Sequence, residues 1–139
     1  HIVNTELNSR NFLINDDAHS YLVDWEKPLV SSAEQDLAHF LCPTTTLWKT
    51  DVALSAQQRQ EFIRSYTLAV DGRFDTDVIE ERLDDYLAVS CLRGVTWTAM
   101  ALAEHRCGIR FVADEYTLNK IESYLTEEFL DSICGFFAG

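Results

Sequence analysis

The chain has 139 residues, of which 47% are hydrophobic and 24% are charged, and its formal net charge is −12 at pH 7. This length and composition predict one globular domain and exclude a disordered chain. The acidic excess argues against binding to nucleic acid or to an anionic membrane, because both need a basic surface. Because no run of 18 apolar residues suggests a membrane span, we expect a cytoplasmic protein.

The first predicted element is a β-hairpin near the amino terminus. Residues 12–15 and 20–23 are rich in β-branched, aromatic and leucine side chains, and a four-residue polar loop separates them. Counting outward from this loop places Asn11 directly opposite Asp24, with the two Cβ atoms roughly 4.5–5.5 Å apart. One carboxylate and one amide oxygen suit Mg²⁺, which takes its remaining ligands from water and phosphate.

The remainder of the chain predicts helices. Apolar residues recur at helical spacing in four stretches, which cover about residues 31–41, 55–70, 75–108 and 114–136. Ser55 and Gln58 have the spacing of a capping box, and Pro43 should end the first helix. In the third stretch, Gly94 is a candidate break and Gly108 a predicted stop. The four cysteines lack metal-site spacing, so we expect free, buried thiols.

Two motifs and the helix after them carry a family resemblance. The sequence N-x-E-x-x-x-x-N at residues 4–11 resembles the His-x-Asp-x-x-x-x-Asn loop of the aminoglycoside phosphotransferase and choline kinase-like family, distant relatives of protein kinases. D-W-E at residues 24–26 and D-L-A at residues 36–38 resemble the segments that follow that loop. The motifs cover about residues 2–42, and the remainder corresponds only as a run of helices.

The resemblance implies an α+β, mainly helical fold, that of the large carboxy-terminal lobe of a kinase-like enzyme. Residues 1–139 would form this single domain. Within it, residues 1–30 would supply the catalytic loop and the metal-binding hairpin, and residues 31–139 a helical subdomain.

The resemblance also implies a role for each matching residue. Glu6 takes the place of the aspartate that accepts the proton of the substrate hydroxyl. Asn11 and Asp24 take the places of the residues that hold Mg²⁺ against the phosphates of ATP. Asn4, which stands where the family has histidine, supports the loop, and Asp36 braces its backbone. Glutamate in place of aspartate moves the carboxylate by about 1 Å, and misplacement on that scale can slow a reaction about 10²-fold.

The nucleotide-binding half of a kinase is not visible in the sequence. The glycines form no phosphate-binding loop, and none of the three lysines lies in a Val-Ala-x-Lys context. We therefore expect the amino-terminal lobe to lie outside this chain and the isolated lobe to be inactive. Such a lobe would expose the apolar surface that its partner covers, which favours self-association.

The expected acceptor is a hydroxyl group on an amino sugar, a sugar or an amino alcohol. An acidic cluster leads into the third helix, and in the resembled family such helices wall the acceptor cleft. Glu26, Asp71 and Asp75 are therefore candidate contacts for a cationic acceptor, or alternatively part of a solvated acidic face. Trp48 and Trp97 could contact a cation through their rings, or could instead pack in the core.

Two functions remain open from the sequence. The first is a small-molecule kinase that uses ATP and Mg²⁺. The second is a degenerate kinase-like domain that serves as a non-catalytic binding or interaction module, which Asn4 and Glu6 favour because they depart from the family motif. Of the other polar residues, His39 is expected to be structural or exposed, and Arg10 to contact a phosphate or lie on the surface.

Overall fold

The computed structural model describes residues 1–70, 72–110, 112 and 114–137. Asp71, one of the predicted substrate contacts, lies outside the described residues. Within them the fold is α+β and mainly helical, as the sequence predicts, with two small antiparallel sheets near the amino terminus.

The strands are short and pair in two separate ribbons. They are β1 (Ile2–Val3), β2 (Phe12–Leu13), β3 (Tyr21–Leu22) and β4 (Leu29–Val30). β1 pairs with β4 and β2 pairs with β3, and a 3-10 turn at Ser9–Asn11 leads into β2. The β2–β3 ribbon is the predicted hairpin. The β1–β4 pair, which the sequence did not suggest, brings the start of the chain beside the segment that precedes the first helix.

The helices build the core of the domain. They are α1 (Ala33–Leu41), α2 (Pro43–Thr50), α3 (Ala56–Val70), α4 (Ile79–Arg106), α5 (Glu115–Ser123) and α6 (Glu127–Cys134). Buried apolar residues of α1, α3, α4 and α6 form the main core, and α4 also packs with α5 in a smaller one. α4 is therefore the central helix on which the other elements assemble.

By length and composition alone, α4 is also the described helix that could cross a membrane. This is weak evidence, because the core helix of a globular protein has the same character. Leu83, Leu87, Cys91 and Ala101 of α4 are buried within the domain.

The cysteines are free thiols throughout the described residues, as predicted, but only two are buried. Cys42 and Cys91 lie in the main core with their sulfur atoms 3.3 Å apart, whereas Cys107 and Cys134 are exposed. The Cys91 thiol hydrogen-bonds Cys42 and lowers the pKa of Cys42 to about 7.

The predicted register of the hairpin is wrong by one residue. Leu13 pairs with Tyr21, whereas a four-residue loop would pair it with Leu22. The cause is Asn15, whose side-chain amide donates a hydrogen bond to the carbonyl of His19 at 2.8 Å. This contact draws Asn15 into the loop, which becomes one residue longer on that side and shifts every pair that follows.

The predicted helix boundaries hold where local capping sets them. Ser55 and Gln58 form a capping box, because the Ser55 hydroxyl accepts from the Gln58 N–H at 3.1 Å and the Gln58 side chain accepts from the Ser55 N–H at 2.9 Å. Gly108, with a φ of +73°, follows the end of α4 as predicted. Ser32 caps α1 by position only, since its hydroxyl pairs with the Tyr86 hydroxyl at 2.8 Å.

Pro43 ends α1 as predicted, but two other expectations about the helices, a break at Gly94 and a single helix over 114–136, are wrong. Pro43 ends α1 but also opens α2, because its fixed φ suits the first position of a helix. Gly94 does not interrupt α4. The stretch 114–136 is two helices, because Thr126 accepts a hydrogen bond from the Phe129 N–H and so starts α6 as a new helix.

Gly94 is required by the packing of α2 on α4. A Cβ atom at this position would lie 2.6 Å from both Cβ and Oγ1 of Thr44, near the start of α2. Such a distance is far inside van der Waals contact, so only glycine lets the two helices approach this closely. Helix propensity alone would have favoured another residue here.

We expect Gly94→Ala to lower the free energy of unfolding by about 1–3 kcal/mol, because the added methyl group overpacks the contact with Thr44. Urea denaturation measures this change. Gly135→Ala is the matched control, since nothing lies within 4 Å of the methyl group it adds. Equal stability of Gly94→Ala and Gly135→Ala would contradict a close α2–α4 contact.

Candidate functional site

The loop that carries Glu6 is held by the carboxylate of Asp36, on α1. Asp36 Oδ2 accepts a hydrogen bond from the backbone N–H of Asn4 at 2.6 Å, and Oδ1 accepts from that of Thr5 at 2.8 Å. Thr5 has a φ of 72°, a left-handed conformation that a β-branched residue rarely adopts. The hydrogen bonds expected of Asp36 are therefore present, and they hold a strained backbone in place.

Asn4 joins this loop to the hairpin. Its side chain is 1% exposed, and its Nδ2 donates to the backbone carbonyl of Asp24 at 2.8 Å. Its Oδ1 accepts from the Glu6 N–H at 3.2 Å. An asparagine at this position therefore supports the loop by linking the backbones of Glu6 and Asp24.

The two predicted metal ligands, Asn11 and Asp24, are not directly opposite each other on the hairpin. Because of the register shift, Asn11 pairs with Val23, whose N–H donates to the Asn11 carbonyl at 2.9 Å. Asp24 comes one residue later and has a φ of 64°. The side-chain amide of Asn11, which is buried, donates to the Glu6 carbonyl at 3.3 Å. The predicted direct opposition of Asn11 and Asp24 is thus wrong, although both residues are tied to the same loop.

A lysine lies among the carboxylates on the exposed side of this loop. Lys27 Nζ is 3.3 Å from Glu26 Oε1 and 3.9 Å from Glu6 Oε1. The hydrogen bond with Glu26, together with the negative charges of Glu26, Glu6 and Asp24, raises the pKa of Lys27. Lys27 therefore remains protonated and offsets part of the local negative charge.

Asn11 and Asp24 carry oxygen atoms of the kind that Mg²⁺ accepts as ligands. Within residues 1–70, 72–110, 112 and 114–137, no group of three or more histidine, cysteine or carboxylate side chains is placed to hold a metal. Asn11 and Asp24 offer one amide and one exposed carboxylate. These hard oxygen ligands suit a Mg²⁺ ion that takes its other ligands from phosphate and water, and not an ion held by protein alone.

A histidine connects the loop to α4. His39 Nδ1 donates to the Leu7 carbonyl at 2.8 Å, and its Nε2 lies 3.0 Å from Nη2 of Arg93. Because guanidinium can only donate, Nε2 must accept, and His39 is the neutral tautomer with its proton on Nδ1. Burial lowers the pKa of His39, and the positive charge of Arg93 acts in the same direction. The structural role expected for His39 is thus to hold Arg93 beside the loop.

A cavity of about 560 Å³ opens beside Glu6, a volume suited to a small-molecule ligand. Its lining includes Glu6, Trp48, Lys49, Arg93, Trp97 and Tyr124. The rings of Trp48 and Trp97 meet edge to face with centroids 5.5 Å apart. The two tryptophans therefore pack on each other and also line the cavity, and their contact with a cation stays a prediction.

The other predicted substrate contacts lie outside this cavity. Neither Glu26 nor Asp75 is among its described lining residues. Asp75 instead accepts a hydrogen bond from the Asp77 N–H at 2.9 Å, before α4 begins. A larger cavity of about 930 Å³ lies between α3, α4 and α6, but its described lining includes none of Glu6, Asn11 and Asp24. We therefore place the candidate site at the smaller cavity.

Two residues of the cavity were not predicted to be functional. Lys49 is at the end of α2, where its carbonyl accepts a hydrogen bond from Nε of Arg10 at 3.2 Å. Arg10 is exposed, which was one of the two possibilities predicted for it, and it anchors α2 to the loop. Arg93 meets His39 across 54 residues of sequence. Neither Lys49 nor Arg93 has a signal in the sequence, because both reach the cavity through the packing of helices that are distant along the chain.

Comparison with known proteins gives no match. No protein-family model, no curated protein and no solved structure matches this chain.

Proposed function

We propose that this chain is the carboxy-terminal lobe of a kinase-like phosphotransferase that uses ATP and Mg²⁺. Its acceptor would be a hydroxyl group on a small molecule such as a sugar, an amino sugar or an amino alcohol. One observation carries the proposal: Glu6 lines a ligand-sized cavity on a loop whose backbone Asp36 holds and Asn4 ties to Asp24. A coincidental hairpin would not need this set of long-range hydrogen bonds.

In this mechanism the protein acts mainly by positioning and charge. Glu6 orients the acceptor hydroxyl and takes its proton as the oxygen attacks the γ-phosphorus. Asn11 and Asp24 would hold Mg²⁺, which when bound neutralises charge on the phosphate oxygens. Asp36 and Asn4 keep these groups in register, because displacement of a reacting group by about 1 Å can cost about 10²-fold in rate.

The nucleotide-binding lobe is expected to cover the sheets. Apolar side chains on both ribbons are solvent exposed in this chain, among them Ile14 at 70%, Tyr21 at 59% and Val30 at 83%. Apolar side chains that a domain leaves exposed favour contact with another protein surface. We therefore infer that an amino-terminal lobe docks here in a cytoplasmic full-length protein, and that the lobe expressed alone is inactive and self-associates.

The second candidate function is a kinase-like binding module without catalysis. It is favoured by Lys27, whose ammonium group lies 3.9 Å from the carboxylate of Glu6. This ion pair engages the carboxylate that a catalytic base would have to offer to the acceptor hydroxyl. The departures from the family motif at Asn4 and Glu6 point the same way.

The two functions are separated by Glu6 variants of the full-length protein. We expect Glu6→Gln to lower kcat for acceptor-dependent ADP release by about 10²- to 10⁴-fold, because it removes the base. Glu6→Asp should retain turnover, since a carboxylate remains. Glu128→Gln, an exposed substitution on α6, is the matched control.

A wild-type protein that neither binds nor turns over Mg·ATP would favour the binding module, provided that Glu6→Asp is equally inert. A marked gain of activity in Glu6→Asp would instead identify an enzyme that has drifted from the family motif. Full activity in Glu6→Gln would show that Glu6 is not the base.

A further inference from the structure

The cavity beside Glu6 has a charge opposite to that of the protein as a whole. The formal net charge of the chain is −12. The charged side chains among the described lining residues are nevertheless Glu6, Lys49 and Arg93, one acid and two bases. A cavity that binds a cationic acceptor would be expected to have the reverse composition.

Arg93 is held at a fixed position within this lining. Its Nη2 donates to His39 Nε2 at 3.0 Å, and His39 in turn donates to the carbonyl of Leu7 at 2.8 Å. Leu7 is adjacent to Glu6, so this chain of hydrogen bonds sets the guanidinium relative to the candidate base. The contact uses one of the five N–H donors of guanidinium, and a neutral histidine leaves its positive charge uncompensated.

Neither base has a carboxylate partner within the part of the chain that the structure describes. The ion pairs found there are formed by Lys27, Arg106, Arg110 and Lys120. A hydrogen-bonded arginine without a carboxylate partner, in a cavity that a lysine and two aromatic rings also line, is suited to recognising a carboxylate on a small molecule. Trp48 and Trp97 would pack against its carbon skeleton.

We propose, on the basis of the phosphotransferase function above, that the acceptor is a hydroxy acid whose carboxylate pairs with Arg93 while its hydroxyl lies at Glu6. In the reaction the hydroxyl oxygen bonds to the γ-phosphorus of ATP and its proton passes to Glu6. The bond between that phosphorus and the β,γ-bridging oxygen breaks, so ADP leaves with the electron pair. The products are a phosphorylated hydroxy acid and ADP.

The test uses three compounds with the same six-carbon polyol skeleton and different charge: gluconate, glucitol and glucamine. Isothermal titration calorimetry of the full-length protein gives a dissociation constant for each. We expect gluconate to bind at least about tenfold more tightly than glucitol, and glucamine to bind most weakly, because a hydrogen-bonded charge pair is worth roughly one decade or more in affinity.

Arg93→Gln should remove this preference and raise KM for gluconate without raising KM for Mg·ATP. Arg82→Gln is the matched control, because Arg82 is an exposed arginine on the same helix that does not line the cavity. A preference for glucamine, no preference among the three compounds, or an unchanged preference in Arg93→Gln would each overturn the proposal. If Arg93→Gln raised only the KM for Mg·ATP, Arg93 would bind the nucleotide phosphates, and this result would also overturn the proposal.

The experiment separates this inference from the function on which it rests. Acceptor-dependent ADP release with glucamine and not gluconate would leave the phosphotransferase function standing and remove the hydroxy acid. Arg93-dependent binding of gluconate with no release of ADP would keep the carboxylate site and reject phosphoryl transfer.

Discussion

Replacing Asp24 with asparagine in the full-length protein should lower kcat for phosphoryl transfer by about 10³-fold or more, because the carboxylate is the charged protein ligand proposed for Mg²⁺. The substitution is conservative for the fold. The Asp24 side chain is exposed, and its contact with Asn4 uses its backbone carbonyl, which asparagine retains. Asparagine also tolerates the left-handed φ of 64° at this position.

The measurement is acceptor-dependent release of ADP at saturating Mg²⁺, with the thermal unfolding temperature recorded for both proteins. Asp17→Asn, in the polar loop of the same hairpin, provides a matched carboxylate-to-amide control. Unchanged turnover in Asp24→Asn would remove Asp24 from the mechanism. Equal losses in both variants would point to a disturbed hairpin and not to a lost metal ligand.

The parts of the fold that the sequence predicted are those set by neighbours along the chain. The capping box of Ser55 and Gln58 spans one helical turn, and the stop at Gly108 depends on its own left-handed backbone. Such signals are complete within a few residues. They placed α3 and the end of α4 correctly without any knowledge of packing.

The errors in hairpin register and in helix number arose at residues whose side chains could stabilise either of two local structures. Asn15 could have continued β2 or joined the loop, and its hydrogen bond to His19 stabilises the loop. Thr126 could have lain within one long helix or capped a new one, and it caps α6. Both residues carry short polar side chains that compete with the backbone for hydrogen bonds, so periodicity alone could not decide these cases.

The candidate site also contains residues that the sequence predicted and residues that only the packing of helices brings into it. The loop residues Asn4 and Glu6, and Asp36 in the helix that follows, were predicted from the family resemblance of their motifs. Lys49 and Arg93 carry no such signal, because they come to the cavity only through the packing of α2 and α4 around Gly94. The charge of a cavity belongs to the assembled fold. The acidic sequence therefore favoured a cationic acceptor, whereas the hydroxy acid proposed above rests on Lys49 and Arg93 in the cavity lining.

The second large effect is expected from Asp36→Ala, which should lower the free energy of unfolding by about 3–5 kcal/mol. Each of the two hydrogen bonds that Asp36 accepts involves a charged group and contributes roughly 1.5–3 kcal/mol. Alanine would also leave the N–H of Asn4, a residue that is 1% exposed, without its partner. Urea denaturation measures the change, and Asp85→Ala on the exposed face of α4 is the control, expected within about 0.5 kcal/mol of wild type.

Hydrogen exchange distinguishes a local brace from a general contribution to stability. If Asp36 holds the loop, the amides of Asn4 and Thr5 should exchange faster in Asp36→Ala by a larger factor than the amides of α4 do. The reason is that the left-handed backbone of Thr5 is strained and relaxes once its acceptor is removed. Equal acceleration at all sites would mean that Asp36 stabilises the domain without organising the loop. An unchanged free energy of unfolding together with unchanged exchange at Asn4 and Thr5 would show that the loop keeps its shape without Asp36, so the position of Glu6 would need another explanation.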